Sequence, residues 1–158
     1  MKDATTSVSA FDDLTARGLY DLLRLRSEVF VVEQDCAYQD LDGRDAAALH
    51  LRIVGADGLL AYTRLLAPGL AHAGECAIGR VVVSPRARGL GLGRRVMAES
   101  VAACRTRWPG VDIVIHAQTY LLAFYRSFGF VVEGAEYLED GIPHHTMRLQ
   151  SGAAAEQS

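Results

Sequence analysis

The sequence predicts a mixed α/β domain, because stretches with the periodicity of strands and of helices alternate along most of the chain. The clearest of them is residues 78–83, which are apolar and β-branched apart from Gly79 and Arg80, as expected of a strand buried on both faces. A turn with alternate glycines at 89, 91 and 93 follows, and the apolar residues after the turn recur at helical spacing. The chain has 158 residues, of which 50% are hydrophobic and 22% charged, so it can form one globular domain with a substantial core.

The two ends of the chain differ in composition from its middle. Residues 1–10 are small and polar, and we expect a flexible N-terminus over residues 1–11. Residues 150–158 are also small and polar and are expected to form a disordered tail. Residues 12–149 contain no visible internal repeat and are predicted to form a single domain.

The individual elements follow from local signals. Thr15 is a suitable N-cap for a first helix that carries leucines along one side. A hairpin is predicted over residues 49–66, with Gly-Ala-Asp-Gly at its turn. The helix after the glycine-rich turn is expected to begin just before Val96 and to stop at the Trp-Pro-Gly sequence at 108–110. A buried strand, a short helix and two last strands are then predicted at 111–117, 119–128, 130–137 and 144–149.

Composition also bounds the partners and the compartment. The formal net charge is -3 and no basic stripe is present, which argues against a nucleic-acid partner. The N-terminus lacks an apolar signal core, and no run of about 18 apolar residues occurs, so neither secretion nor a membrane partner is predicted. Cys36, Cys76 and Cys104 are widely spaced and are expected to be reduced thiols in a cytoplasmic protein. His144 and His145 point to opposite faces of their strand and do not form a metal pair.

The glycine-rich turn, RGLGLG at residues 88–93, has the properties of an anion site. Its glycines leave backbone N–H groups unshielded at a helix N-terminus, where free amides and the helix dipole attract phosphate. The absence of Gly-Lys-Ser/Thr excludes a nucleoside triphosphate P-loop. A dinucleotide motif would need G-x-G-x-x-G and an acidic residue at the far end of the next strand, whereas Asp112 opens that strand. A sharp strand-to-helix turn without any ligand stays open as the alternative.

Two motifs together resemble a known family. The pattern R-x-x-G-x-G over residues 88–93 is similar to the pyrophosphate loop of acyl-CoA-dependent acetyltransferases, and an overlapping register that starts at Arg86 also fits. An aromatic segment, FYRSFGF at residues 124–130, follows in the order and spacing of the family. Taken alone, Tyr125 in such a helix would more simply be a packing residue. With both motifs present, residues 12–149 are identified as a member of the GNAT superfamily of N-acetyltransferases.

Three longer strings narrow the resemblance to the ElaA-like subfamily. They are LRSEVFVVEQDC, YQDLDG and YLEDGIPH, at residues 25–36, 38–43 and 137–144. The resemblance implies the GNAT fold, a mixed, mostly antiparallel sheet of about six to seven strands with a central splayed strand pair and helices on both faces. It also implies that acetyl-CoA donates its acetyl group directly to an amine acceptor, with no enzyme-linked intermediate and no metal.

The resemblance implies roles on the donor side. A backbone N–H in the central strand would stabilise the thioester carbonyl oxygen as that oxygen gains charge. Tyr125 would protonate the departing thiolate, and Gln118 stands where many relatives have an Asn that holds the pantetheine arm. The implied cofactor-binding residues are Val81, Val82, Val83, Arg88, Gly89, Leu90, Gly91, Leu92, Gly93, Arg94, Gln118 and Tyr125.

The general base is where the sequence departs from the better-known relatives. An amine with a pKa of about 10.4 is almost fully protonated at pH 7, so its deprotonation needs assistance. Some relatives place a Glu early on the central strand, but that position is Ala77 here. Glu75 lies two residues earlier on the same face and is the candidate catalytic base, with a plain strand-edge charge as the alternative. Further candidates are His50, His72, His144, His145 and His116, of which His116 lies close to the expected cleft.

Acidic residues are frequent in the segments that border the acceptor groove of this family. We expect substrate contacts from Glu28, Phe30, Glu33 and Glu139. The other acidic residues of these segments are Asp35, Asp40, Asp42, Asp45, Glu136 and Asp140, against few cations, chiefly Arg26 and Arg44. Clustered carboxylates would attract a cationic small amine, polyamine or peptide amine, although a solvated acidic loop would have the same composition.

Two alternatives stay open at the level of the whole protein. The chain is expected to be a monomer or a homodimer. The empty base position makes a non-catalytic acyl-CoA-binding or regulatory module the alternative to an enzyme, whereas Tyr125 and a complete pyrophosphate loop favour the enzyme.

Overall fold

The computed structural model describes residues 3–152, which fold around one seven-stranded sheet. The strands are β1 Thr5–Ala10, β2 Leu49–Gly55, β3 Gly58–Leu66, β4 Cys76–Val83, β5 Ile113–Gln118, β6 Val131–Glu139 and β7 Ile142–Leu149. The helices are α1 Ala16–Arg26, the π-helix Ser27–Glu33 that continues it, α2 Leu92–Arg107 and α3 Leu122–Arg126. Across the sheet the strand order is β1-β2-β3-β4-β5-β7-β6, and the predicted mixed α/β fold is confirmed.

The centre of the sheet is split. All neighbouring strands are antiparallel except β4 and β5, which are parallel and pair only at Cys76 with Ile113 and at Ala77 with Val114. Beyond these positions the two strands diverge, and we call this opening the fork. It is the predicted splayed strand pair. One edge of β4 has no strand partner along the fork, so its backbone N–H and C=O groups need other partners.

Helices cover both faces of the sheet, because successive side chains of a strand point to opposite faces. On one face, Leu25 of α1 packs with Tyr62 of β3 and Val82 of β4. On the other face, the hydroxyl of Ser100 in α2 lies 2.7 Å from that of Thr63 in β3. Tyr62 and Thr63 are neighbours in sequence, so the alternation of β3 joins the two layers.

The N-terminal segment forms a strand where the sequence predicted flexibility over residues 1–11. Strand β1 pairs antiparallel with β2, and the Thr6 hydroxyl donates to the Glu99 carboxylate of α2 at 2.7 Å. Hydrophobicity carried no signal for β1, because an edge strand is held by backbone pairing and buries few side chains. Residues 1 and 2, and residues 153–158 of the predicted tail, lie outside the described residues.

Helix α2 begins at Leu92, one turn before the start predicted near Val96. Gly91 precedes it as N-cap with a left-handed φ of 76°. The first turn contains Gly93, a poor helix former, so the helical pattern in the sequence becomes visible only later. The helix has 16 residues, and no helix within residues 3–152 is both long and apolar enough to cross a bilayer.

Candidate active site

A cavity of about 950 Å³ lies at the fork. Strand β4 contributes residues 77–83 to its wall, and β5 contributes Ile115, His116 and Gln118. Other parts of the wall come from the π-helix and the loop after it, from β3 and the loop that follows it, from Arg88, from the segment that leads into α3 together with Tyr125, and from the β6–β7 hairpin. Unpaired strand backbone and polar side chains of several elements converge here, which makes this cavity the candidate active site.

The predicted donor-strand residues Val81, Val82 and Val83 all line the cavity. Just before them, the register between β4 and β3 shifts opposite the segment from Tyr62 to Arg64. Arg80 lies at this irregularity with a φ of 54°, a left-handed conformation that costs energy for a residue other than glycine. A bulge bends its strand, which accounts for the divergence of β4 from β5.

The glycine-rich loop leads from β4 into the N-terminus of α2. Gly89 and Gly91 have φ values of 81° and 76°, which an L-residue adopts only with strain. Gly91 has no side chain to cap the helix, so the first amides of α2, from Leu92 onwards, lack an acceptor within the helix. Free amides and the positive end of a helix dipole form a binding site for phosphate groups.

The two arginines predicted to bind phosphate have partners within the protein. Arg88 lines the cavity and makes a two-point ion pair with Glu33 of the π-helix, at 2.6 and 3.0 Å. This hydrogen-bonded pairing lowers the pKa of the Glu33 carboxyl. Arg94 donates to the Ser127 hydroxyl at 3.2 Å, and its guanidinium lies 5.1 Å from the ring centroid of Phe128. Backbone amides, rather than these guanidinium groups, are therefore the open anion donors of the loop.

Tyr125 lies in α3 with its ring buried at the cavity wall, and 6% of the residue is exposed. The ring packs edge-on against Phe124 and Phe130, at centroid distances of 5.1 and 6.3 Å. Burial raises the pKa of the Tyr125 hydroxyl above its usual range, so the group is protonated at neutral pH. Within residues 3–152 this hydroxyl has no hydrogen-bond partner. A protonated hydroxyl without a partner at a cavity wall can donate to a bound molecule.

The structure does not bring Glu75, the candidate base, into the cavity lining. Its carboxylate lies 3.0 Å from the Arg148 guanidinium, which also contacts Asp112 at 3.1 Å and Glu133 at 2.6 Å. Glu75 is thus one of three acidic partners of one arginine, as the strand-edge alternative proposed.

His116 does line the cavity, on the face of β5 that also carries Gln118. Its Nδ1 lies 2.6 Å from the Tyr137 hydroxyl, and its Nε2 lies 3.1 Å from Nε2 of His72. Tyr137 opens the string YLEDGIPH, but nothing in the sequence indicates that it is the partner of His116. Because Tyr137 pairs with His144 and His116 pairs with Thr146 across β7, all of these side chains share one face.

The other histidines are engaged elsewhere. His144 lines the cavity, but its Nδ1 is held by the carbonyl oxygen of Ile142 at 2.7 Å. His50 is fully buried and bonds the Tyr62 hydroxyl at 2.6 Å. His145 points to the opposite face, where it bonds Thr119 at 3.1 Å.

The acidic loop before β2 is not the free carboxylate lining that its composition suggested. Arg26 is fully buried and pairs with Asp40 at 2.8 Å and with Asp45 at 2.7 Å. Arg64 pairs with Asp42 at 2.8 Å and with Asp45 at 3.1 Å, and Arg80 pairs with Asp40 at 2.7 Å. These three arginines and three aspartates form a network that we call the ion cluster. Each of its carboxylates has an arginine partner, so these three aspartates are not free to pair with a cationic acceptor.

The four predicted acceptor-contact residues divide between two locations. Phe30, Glu33 and Glu139 line the cavity, together with Asp140 at the turn between β6 and β7. Glu28 does not line it and lies 4.0 Å from Arg86. Cys36, in the loop after the π-helix, lies with its thiol 3.5 Å from the Asp140 carbonyl oxygen, so loop and turn meet across the cavity.

The free edge of β4 at the fork can bond an amide-rich arm, and the uncapped N-terminus of α2 beside it can bind a pyrophosphate. Coenzyme A has both parts, so the site is that of a coenzyme A-dependent acyltransferase. Residues 24–151 match the family model described as "Acetyltransferase (GNAT) domain". The chain belongs to the GNAT acetyltransferase family, whose members use an acyl-CoA as a substrate.

Individual relatives agree with this assignment. Protein ElaA of Escherichia coli strain K12 is 42% identical over 134 residues, which are 84% of this chain and 87% of ElaA. The crystal structure of an acyl-CoA N-acyltransferase from Pseudomonas aeruginosa has a TM-score of 0.87 and 45% identity, and covers 92% of this chain and 98% of its own. The crystal structure of Escherichia coli ElaA has a TM-score of 0.85 and 38% identity over the same shares. The resemblance to the ElaA-like subfamily is confirmed.

Proposed function

We propose that the chain transfers the acetyl group of acetyl-CoA directly to an amine, with the thioester held in the fork. The observation that carries this proposal is one continuous cavity, lined by the unpaired edge of β4, by Tyr125 and by Arg88 at the start of the glycine-rich loop. The strand edge, the proposed acid and the start of the pyrophosphate loop are therefore within reach of one extended ligand.

On the donor side, the amides at the start of α2 bind the pyrophosphate, because they lack acceptors within the helix. The backbone of Val81, Val82 and Val83 bonds the pantetheine amides as a strand partner would. Gln118 lies across the fork at the end of β5, where its side-chain amide can hold the same arm.

On the side of the thioester, the chemistry needs one hydrogen-bond donor and one acid. As the amine nitrogen bonds to the acetyl carbon, a backbone N–H of β4 stabilises the charge that develops on the carbonyl oxygen. The C–S bond then breaks, and sulfur keeps the electron pair and takes the proton of the Tyr125 hydroxyl. The raised pKa of this hydroxyl keeps the proton available at neutral pH.

For the acceptor, we propose a primary amine that arrives as an ammonium ion. Glu139 at the end of β6 and Asp140 in the turn after it line the cavity, whereas Glu33, which also lines it, is paired with Arg88. Opposite charge at a cavity mouth concentrates and orients a cationic substrate. A small amine, a polyamine or a peptide amine meets this description.

Cellular location is also part of the proposal. Cys36, Cys76 and Cys104 are free thiols, as expected in a reducing compartment, and we place the protein in the cytoplasm as a monomer or homodimer.

The test is acceptor-dependent release of CoA. The purified chain is incubated with acetyl-CoA and a panel of alkylamines, polyamines and peptides, and free thiol and acetylated product are measured together. We expect stoichiometric CoA and N-acetyl product with at least one primary amine. Acetyl-CoA binding without release, for every amine, would instead support a non-catalytic acyl-CoA-binding module.

A further inference from the structure

We propose that His116 is the general base that accepts the proton of the attacking amine, and that Tyr137 positions its ring. This inference rests on the proposed acetyl transfer and supplies the base that Ala77 and Glu75 do not provide.

His116 lies at the point of the fork where β4 and β5 separate. Ala77 and Val114 are the last paired residues of β4 and β5. By strand alternation, the next side chains on the same face belong to position 79 on β4 and to His116 on β5. Gly79 has no side chain, and a Cβ placed there would meet nothing within 4 Å. On the face shared by Ala77 and Val114, the imidazole of His116 is thus the first side chain after the strands separate, and it borders the open space beside Gly79.

The two faces of the fork carry different groups. Ile115 and Ala117 point into the main core together with Tyr125, whereas His116 points to the other face. A base and an acid on opposite sides of the thioester allow the amine to lose its proton on one side while sulfur gains a proton on the other. This separation prevents His116 and Tyr125 from exchanging the proton directly.

Hydrogen bonds hold the ring of His116 at both nitrogens. We assign the tautomer in which Nδ1–H donates to the Tyr137 hydroxyl oxygen, at 2.6 Å, so that Nε2 carries the lone pair. Nε2 faces Nε2 of His72 at 3.1 Å, and His72 belongs to the loop between β3 and β4. The amine, or a water molecule bonded to it, replaces His72 as the partner of this lone pair.

The proton and electrons balance in this step. One N–H bond of the ammonium group breaks, its proton goes to Nε2 of His116, and the electron pair left on nitrogen forms the new C–N bond. The nitrogen of the adduct then loses a second proton to water as the amide forms. The C–S bond breaks, and the sulfur is protonated by Tyr125. After product release, His116 returns its proton through His72 or water, and Tyr125 regains one from solvent.

The surroundings of His116 favour the neutral ring that a base requires. The side chain of His116 is exposed, but partial desolvation by the surrounding elements lowers its pKa, and positive charge at Arg44, His72 or His144 acts in the same direction. Glu139 acts in the opposite direction. The charged and titratable groups that face the ring from neighbouring elements are Arg44, His72, Tyr137, Glu139 and His144, and Thr146 adds a neutral contact at 3.4 Å.

The experiment measures kcat/KM of His116→Gln against pH, with acetyl-CoA and the amine that the wild type acetylates fastest. The wild-type kcat/KM should fall on acidification with one bend below about pH 6.5, where a histidine with a lowered pKa becomes protonated. His116→Gln should lose this bend and about 10²-fold in kcat, as expected without proton transfer, while acetyl-CoA affinity by calorimetry stays within twofold. His145→Gln, on the opposite face of the sheet, should keep both the rate and the bend.

A second variant tests the positioning role. The Tyr137 hydroxyl oxygen accepts a hydrogen bond from Nδ1–H and so stabilises the protonated ring of His116. Tyr137→Phe removes this acceptor, so the pKa of His116 should fall and the bend should move to lower pH while remaining present. A His116→Gln enzyme that keeps the bend, or that works within threefold of the wild type, would overturn the assignment of His116. Absence of CoA release from the wild type with every amine would overturn the proposed function as well, so the two failures are distinguishable.

Discussion

At the scale of single residues, a comparison of the two buried tyrosines supports our proposal that Tyr125 is the proton donor. The Tyr62 hydroxyl is bonded to His50 at 2.6 Å inside the α1 layer, and burial raises its pKa as it does for Tyr125. Only Tyr125 combines burial with a cavity wall and an unpartnered hydroxyl. Partners, rather than burial, therefore separate a structural tyrosine from a proton donor.

We expect Tyr125→Phe to lower kcat by about 10²-fold with acetyl-CoA affinity within twofold, because the ring stays and only the acid is lost. Its thermal unfolding should change little, since no partner is left unpaired. The matched variant Tyr62→Phe should keep its rate but lose about 1–3 kcal/mol of stability, since His50 is left buried without this bond. Steady-state kinetics and thermal denaturation separate the two, and a Tyr125→Phe rate within twofold of the wild type would return Tyr125 to a packing role.

The sequence indicates candidate site residues where a motif marks them, but it does not show which side chains pair across the fold. The glycine-rich loop and Tyr125 carry the family pattern in sequence. The fate of a carboxylate depends on which arginine reaches it across the fold, so Glu75 and Asp45 could not be distinguished from free acids. One signal for this pairing was available in the sequence: each of two apolar strands contains one arginine, Arg64 in β3 and Arg80 in β4. A buried guanidinium needs a carboxylate partner.

At the scale of elements, the ion cluster ties the start of the π-helix and the acidic loop to the central strands. Arg26 ends α1, Arg64 lies in β3 and Arg80 in the bulge of β4. The loop that carries their aspartates also contributes Tyr38 and Gln39 to the cavity wall. The cluster thus holds one wall of the candidate active site in place.

Arg26→Met should destabilise the fold by about 3–5 kcal/mol at pH 7, because Asp40 and Asp45 would stay buried without this partner. The exposed residue Arg24, in the same last turn of α1, is the control, and Arg24→Met should cost less than about 0.5 kcal/mol. Urea denaturation at pH 7 measures both, and equal losses would contradict a structural role for the ion cluster.

The same pair of variants predicts a pH dependence. Burial alone would raise the pKa of Asp45, but the hydrogen bonds and charge of Arg26 and Arg64 lower it. A carboxyl with a lowered pKa stabilises the fold above the unfolded value, about pH 3.9, and loses this contribution as pH falls through the folded value. Without Arg26, burial has the larger effect on the pKa of Asp45, so protonation of Asp45 at low pH removes part of the cost of burying its charge in the variant. The stability gap between wild type and Arg26→Met should therefore shrink below about pH 4, and a constant gap would contradict this pairing.

Elements with a strong apolar pattern were predicted well, and those held by backbone geometry were not. The hairpin of β2 and β3, strand β5 and helix α3 lie near their expected places, since burial fixes them. Strand β1, the first turn of α2 and the bulge at Arg80 depend on backbone pairing and on the φ angle. Neither produces a pattern of apolar residues in the sequence.

At the scale of the whole molecule, the charge of the cavity is balanced rather than acidic. Its acidic lining residues are Glu33, Asp42, Glu139 and Asp140, and its basic ones are Arg44, Arg64, Arg80 and Arg88. Asp42 and Glu33 pair with arginines, so the attraction that we propose for a cationic amine would depend on Glu139 and on Asp140 in the β6–β7 turn.

We expect the KM of a cationic acceptor to rise several-fold as salt is raised, because exposed charges are screened within about 8–10 Å at ordinary ionic strength. Asp140→Asn should raise this KM at low salt more than it lowers kcat, and should weaken the salt dependence. Asp57→Asn, at the turn between β2 and β3, is the matched control and should behave as wild type. A salt-independent KM that is insensitive to Asp140 would show that the turn does not recognise the amine.

The central claim is that acetyl-CoA binds at the fork through the glycine-rich loop, and calorimetric titration of acetyl-CoA tests it most directly. Gly91 and Gly110 are matched, with φ of 76° and 78° and open space around each, but only Gly91 lies at the N-terminus of α2. Valine at either position should cost similar stability through backbone strain. Gly91→Val should also block the approach of the pyrophosphate and weaken binding by at least about 10²-fold, whereas Gly110→Val should bind as wild type does. Equal acetyl-CoA affinity in folded wild-type, Gly91→Val and Gly110→Val proteins would contradict the account.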